Sequence, residues 1–410
     1  MTQRKSLKSR YKQLSLWNKI AFWGSIASII SIILYFLPSP LNLIQPEHEK
    51  LISTAEKTIT QLQKEREIDA YYRYGEKAYA REKLDEAITN LLIVIKREPN
   101  FGKAHSLLGS AYGLKGMYPK ALEVYKRTIE ISKEQKDWRL FAIALNGIGA
   151  VYHEEGKLDT AFVYWEKTLT AAEIISDRDI EAGVYNNLGI IFLWKKDYTK
   201  ALEFFQQGAA LHRSIGDREG EADALNQIGI IYRVQNQFPK ARDYHNQARA
   251  IHHEIGDGLG EAHDIANIAL IYAFSSDYDE ALKYFHQALD IFQKIGYRRG
   301  EAEVLRNIAV AYMGKNEFHK AIKALNQALD IDRAIGYGRG EAEDSRNLIY
   351  LYTVQGDTTK AITLLRQTRN LFNDEIIEFL KESSELVNLR LHPQFKSIIN
   401  STANKKDVKK

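Results

Sequence analysis

One stretch of this chain is written four times. The segments IGDREGEADALNQIGIIY, IGDGLGEAHDIANIALIY, IGYRRGEAEVLRNIAVAY and IGYGRGEAEDSRNLIYLY begin at residues 215, 255, 295 and 335, a period of 40. Self-similarity at such a period means a supersecondary unit that cannot bury its apolar face alone and must stack on its neighbours. Two small-residue positions extend the register. Gly75, Gly109, Gly149, Gly189, Gly229, Ala269 and Ala309 hold the first, with Ile349 the exception. Ala87, Ala121, Ala161, Ala201, Ala241, Ala281, Ala321 and Ala361 hold the second, 12 residues later each time. Small side chains at fixed points let two helices approach closely. Three residues after the first small site stands a large filler, Tyr112, Tyr152, Phe192, Tyr232, Tyr272, Tyr312 or Tyr352, with Ala78 in the first unit.

Helix punctuation follows the same register. Gly116, Gly156, Asn236, Asn316 and Gly356 tolerate a left-handed turn between the two helices of a unit. Gly216, Gly256, Gly296 and Gly336 suit helix C-caps, and Asp217 and Asp257 suit the next N-caps, a role that Tyr297 and Tyr337 fill less well. The pattern resembles the tetratricopeptide repeat over residues 68–372. Its first two units are 34 residues apart; the later ones, at 40, are similar to the longer repeats of kinesin light chains and spindle-orientation adaptors. The resemblance implies an all-α, right-handed α-solenoid of eight helix-turn-helix repeats, its concave face lined by the first (A) helix of each. Ile376, Ile377, Phe379 and Leu380 then begin a capping helix, and LRLHPQFKSI (389–398) is expected as a short final one, so that 373–400 closes the array and 401–410 is a basic disordered tail.

The chain before the repeats has a different character. Residues 1–19 carry six basic side chains (Arg4, Lys5, Lys8, Arg10, Lys12 and Lys19) and no acid. Ile20 to Leu37 follows without a charge, long enough for a transmembrane helix, and Pro38 and Pro40 end it. The expectation is a single-pass membrane protein, bound to the membrane through residues 20–37, with a cytoplasmic N-terminus and the repeats on the opposite side. A linker over 38–67 holds Leu51, Ala55, Ile59 and Leu62 at helical spacing, as a short amphipathic helix stacked on the first repeat or a brief dimeric stalk.

Composition removes several function classes. There is no Cys, which excludes disulfides, thiolate metal sites and cysteine nucleophiles. The net charge of +4 resides in the basic ends, leaving a mildly acidic body unsuited to nucleic acid. His245, His252, His253 and Glu254 gather on one second (B) helix without the His-Glu-x-x-His spacing of a zinc protease, and are expected on its solvated side. Gly256-Asp257-Gly258-Leu259-Gly260 is glycine-rich but follows a helix, whereas a phosphate loop follows a strand. No enzyme, cofactor, metal or small-molecule substrate is therefore expected.

The candidate site is the A-helix face. If the units stack as in the family, Asn146, Asn186, Asn187, Asn226, Gln227, Asn267, Asn307 and Asn347 form a ladder of amides, each offering a peptide backbone both donor and acceptor. In peptide-binding members Asn at this point contacts the ligand backbone, and the resemblance implies that role here. The other reading is that these amides bond the neighbouring repeat and set the stacking angle. Arg233, Arg306 and Arg346 add cations to the same face, with Glu303 and Glu343 three residues before the last two. Leu193, Trp194, Phe274 and Met313 add apolar surface. The expected partner is an extended protein or peptide segment held by a scaffold or adaptor; a peptide-sensing receptor and an assembly factor for a membrane complex are the alternatives.

Overall fold

The computed structural model describes residues 46–400, and helices are the regular elements among them. The chain forms two compact units that meet in sequence at Glu155 and Gly156.

The first unit begins with α1 (Pro46–Tyr79), one unbroken helix of 34 residues that takes in both the expected linker helix and the A helix of the first repeat. It packs on α2 (Leu84–Arg97), followed by α3 (Gly102–Leu114), α4 (Tyr118–Gln135) and α5 (Trp138–Glu154). Gly75 and Gly109 explain the small site: a β-carbon there would stand 3.0 Å from Leu91 and 2.8 Å from the Tyr125 ring.

The second unit opens with α6 (Leu158–Ile175) and continues through α7 (Arg178–Trp194), α8 (Tyr198–Ile215), α9 (Arg218–Val234), α10 (Phe238–Ile255), α11 (Gly258–Phe274), α12 (Tyr278–Ile295), α13 (Arg298–Gly314), α14 (Phe318–Ile335), α15 (Gly338–Val354) and α16 (Thr358–Thr368). The A helices α7, α9, α11, α13 and α15 have 17 residues each, and the B helices α8, α10, α12 and α14 have 18. Left-handed residues punctuate them. Gly216, Gly256, Gly296 and Gly336 end the B helices at φ of 78°, 74°, 73° and 71°. Asn236 and Asn316 make the intra-unit turn at 58° and 61°, as Lys196 does in the unit before them and Ser276 in the unit between. Asp217, Asp257 and Asp277 cap the following helices with their carboxylates, whereas Tyr297 and Tyr337 make no side-chain cap.

Inside each pair the residue 16 positions beyond the small site fills the space above it. A β-carbon on Gly189 would meet Phe205 at 2.8 Å. Ala269 and Ala309 are matched in register by Phe285 and Leu325, and Ile349 by Leu365, all fully buried. Ile349 and Leu365 fill this space with two branched aliphatic side chains, both fully buried. The alanine site is 0% exposed throughout, from Ala87 to Ala361.

One core runs from Ala262 on α11 into the C-terminal elements. There α17 (Asp374–Glu382), α18 (Val387–Leu391) and α19 (Phe395–Ile399) bury Ile376, Leu380, Leu389, Phe395 and Ile399. The segment 389–398, expected as one helix, is two, interrupted at His392 and Pro393, because proline disfavours helical backbone in the residue before it. Arg369 ties this cap down by donating Nε and Nη2 to the Ile399 carbonyl at 3.0 and 2.9 Å.

The membrane localisation expected from the sequence is corrected here. No helix among the described residues is long and apolar enough to cross a membrane. The stretch 20–37, on which the single-pass topology and its orientation rested, lies outside the described residues, as do 1–19 and 401–410.

Candidate functional site

Two adjacent positions on the A helices hold the predicted site residues apart from Arg233, and they point differently, since neighbours on a helix are turned by about 100° from one another. The earlier position carries Asn186, Asn226, Ala266, Arg306 and Arg346 in the second unit; the later one carries Asn187, Gln227, Asn267, Asn307 and Asn347.

The earlier position engages its own chain. Asn226 donates from Nδ2 to Oδ1 of Asp264 on the next A helix, and Asp264 also accepts, on Oδ2, the Nδ1 proton of His252 at 2.7 Å. Arg306 donates from Nε to Asp344 at 2.6 Å and from Nη2 to Asp332 at 2.7 Å, and its Nη1 lies 3.6 Å from Glu343. Asn186 donates from Nδ2 to His212 Nε2 at 3.2 Å, and His212 Nδ1 donates to the cap carboxylate of Asp217 at 2.7 Å. The joints at Asn226 and Arg306 are of one design: a mid-A residue, the B residue 26 positions on, and the A residue 38 positions on. The joint is polar as Asn226, His252 and Asp264, apolar as Ala266, Phe292 and Val304, and ionic as Arg306, Asp332 and Asp344. Burial opposes the charge on His252, yet Asp264, Asp257 and Asp223 together hold its pKa above the ordinary value. Burial likewise opposes the charge on Arg306, and Asp344, Asp332 and Glu343 outweigh it.

The later position is half-buried along its whole length, from Asn187 to Asn347. Asn267 donates to Asn226 Oδ1 at 3.5 Å, and Asn347 accepts from Arg346 at 3.1 Å. The amides of Gln227 and Asn307 make no hydrogen bond among the described residues. Asn146, on α5 of the first unit, is also half-buried. Beside this row, at the C-terminal ends of the A helices, lie exposed apolar side chains: Trp194 at 67%, Phe274 at 61%, Val234 and Val354. Arg233 stacks its guanidinium 5.4 Å from the Phe274 ring centre, keeps Nε buried without an acceptor, and has its pKa lowered by burial. Arg346 lies 5.5 Å over Phe379.

Sequence reasoning missed Asp264, Asp332 and Asp344, which are 0% exposed and sit in what look like polar A- and B-helix faces. A signal was available: an Asp 38 residues after Asn226 and another 38 after Arg306. The expectation that His245 and His252 lie on a solvated face is corrected, since both are buried; His253 and Glu254 are exposed. His245 occupies the core register of Phe205 and Phe285, and a β-carbon on Gly229 would meet its ring at 2.8 Å. The glycine-rich segment at Gly256 is a helix C-cap followed by the Asp257 N-cap, whose carboxylate accepts from the Leu259 amide.

The chain belongs to the tetratricopeptide-repeat family: the family model matches residues 101–174, 180–252 and 261–334, more than half of the sequence. No curated protein matches it. Among solved structures it is similar to a signal-transduction STAND ATPase with a tetratricopeptide-repeat sensor from Pyrococcus horikoshii, with a TM-score of 0.59 and 17% identity over 90% of this chain and 54% of that one. The apo quorum sensor NprR from B. thuringiensis gives 0.55 and 12%, over 79% and 91% of the two chains. The Rap conjugation gene regulator of plasmid pLS20, solved with the Phr* peptide, gives 0.50 and 15%, over 80% and 94%. At these identities the likeness shows an all-α helical repeat solenoid and no more. Family membership makes the chain a scaffold of the protein-interaction type.

Proposed function

We propose that this scaffold binds an extended segment of a partner protein across its A helices, with the concave groove lined by those helices. The observation that carries the reading is the row of half-buried amides at Asn187, Gln227, Asn267, Asn307 and Asn347, flanked by the exposed side chains of Trp194, Val234, Phe274 and Val354. Amides spaced one per repeat suit a backbone that exposes both donors and acceptors, and the apolar flank suits alternate side chains of an extended strand. Arg233, desolvated and lacking an ionic partner among the described residues, suits an acidic group on the same segment. Asn226 and Arg306 support the row by tying successive A helices together, through Asp264 and Asp344.

The test is a selection of displayed random peptides against the full chain, repeated on a variant with Asn267, Asn307 and Asn347 replaced by Ala. Each lost amide contact costs about 1 kcal/mol, so the selected peptides weaken on the order of a hundredfold while helicity measured by circular dichroism stays unchanged. Equal binding to both proteins rules out the amide row as the contact. Loss of helicity in the variant assigns these amides to repeat stacking.

A second reading, a peptide-sensing receptor, draws on the fold shared with the Rap regulator solved with its Phr* peptide. It requires the selected peptides to compact the chain in small-angle scattering, where a passive scaffold keeps its dimensions.

A further inference from the structure

The joint that links α13 and α14 to α15 puts one cation against two carboxylates. Arg306 is 13% exposed, and Asp332 and Asp344 are 0% exposed. Each carboxylate spends one oxygen on the guanidinium. The other oxygen of each, Oδ1 of Asp332 and Oδ2 of Asp344, is buried and has no donor. The remaining charged group facing them is Glu343 on α15, which is 32% exposed and also pairs with Arg339 at 3.1 Å. No ion pair from α16, packed on the other flank of α15, reaches either acid among the described residues.

Fully ionised, the buried part of this joint holds a net negative charge and two unsatisfied oxygens, and each defect costs free energy in a medium that water cannot reach. Both carboxyls hold the same guanidinium, at 2.7 and 2.6 Å, which sets them side by side, and each acts on the proton affinity of the other. A single hydrogen between them repairs both defects, because one carboxyl becomes a donor to the other and the three groups together become neutral. We propose that Asp332 and Asp344 hold one proton between them at neutral pH, and that its release on alkalinisation loosens the joint between the last two A helices.

The electrostatics point the same way. Burial pushes the Asp344 carboxyl up to about 7, against the pull of Arg306 and with the help of the Asp332 charge. Asp332 moves in the same direction, again through burial. The folded joint thus binds a proton more tightly than the unfolded chain, where Asp titrates at about 3.9. Its contribution to stability is fully present below that value and is lost as pH rises through about 7.

The experiment uses the full chain. Thermal unfolding is followed between pH 5.5 and 8.5 for the wild type, for Asp344→Asn and for Asp332→Asn, whose amides imitate the protonated acid. His252 titrates in the same sense, so the informative quantity is the difference between wild type and variant. Wild-type Tm is expected to fall as pH rises through about 7, and either substitution to remove that share of the fall. Infrared spectra of the wild type carrying 13C-labelled Asp are expected to contain a buried protonated carboxyl band at pH 6 that vanishes at pH 8.5. This measurement stands even if a variant does not fold. A wild-type spectrum without that band at pH 6, or a pH profile unchanged by both substitutions, overturns the proposal.

Discussion

At the scale of single residues, the energetics separate side chains that the sequence makes look alike. Arg306 and Gln227 both lie mid-helix on the A face. Arg306 is held by two buried carboxylates, and removing it leaves both without a cation. Arg306→Met is expected to cost roughly 3–5 kcal/mol, read as a lower midpoint in urea unfolding. Gln227 makes no hydrogen bond among the described residues, and Gln227→Ala is expected to shift the same midpoint by less than about 0.5 kcal/mol. Comparable losses from the two substitutions would contradict the division of labour between the adjacent positions. The same division explains why the ladder was legible only as a whole. Residue types pointed to an amide-rich A face, but which amides meet Asp264 or His212 depends on groups 38 and 26 residues away.

At the scale of elements, helix pairing rests on the volumes that meet across facing helices. Gly189 admits the Phe205 ring, whereas Ala309 sits in register with Leu325. Gly189→Ala drives a methyl to 2.8 Å from that ring and is expected to destabilise by about 1–3 kcal/mol, less a small gain in helix propensity. Adding Phe205→Leu reproduces the Ala–Leu pair found elsewhere in the chain and is expected to recover part of the loss. A double-mutant cycle on thermal unfolding measures the coupling, and strict additivity would exclude direct packing between the two sites. The helix ends show an exchange. Tyr297 and Tyr337 give up the aspartate cap, and in return Tyr297 packs 5.6 Å from Phe292 and Tyr337 receives the Arg299 guanidinium at 4.6 Å. Caps, turns and small sites were legible in the sequence because each depends on a few residues close along the chain.

At the scale of the molecule, a repeat array is stable as a sum of units and their nearest-neighbour joints, and its last unit needs a cover. The elements after Phe372 supply it by burying Ile376, Leu380, Leu389 and Phe395 in the core that contains Leu365 and Ile349. Ending the chain at Phe372 is expected to expose that surface. Hydrogen exchange would then speed up first in α15 and α16, with aggregation following, while α7 to α10 keep their protection. Uniform loss of protection would mean that the second unit unfolds as one cooperative body. The joints also make the array uneven along its length: one is apolar, one turns on a histidine–aspartate pair, and one carries the proton shared by Asp332 and Asp344. Alkaline pH therefore weakens particular joints rather than every pair alike.

Sequence by itself determined the repeat, its register, the close-approach sites, the left-handed turns made by glycine and asparagine, and the family. All of these are periodic or local, and a period of 40 repeats the same physical demand until the pattern is unmistakable. Tertiary structure decided what breaks the period: which amides meet a buried aspartate or histidine, that His245 belongs to the core, and that Asp264, Asp332 and Asp344 are buried. Those outcomes depend on side chains that meet across a joint, where a polar triad and an apolar one fill the same space. Nothing within one helix distinguishes an aspartate that faces water from one that faces an arginine on the helix beside it.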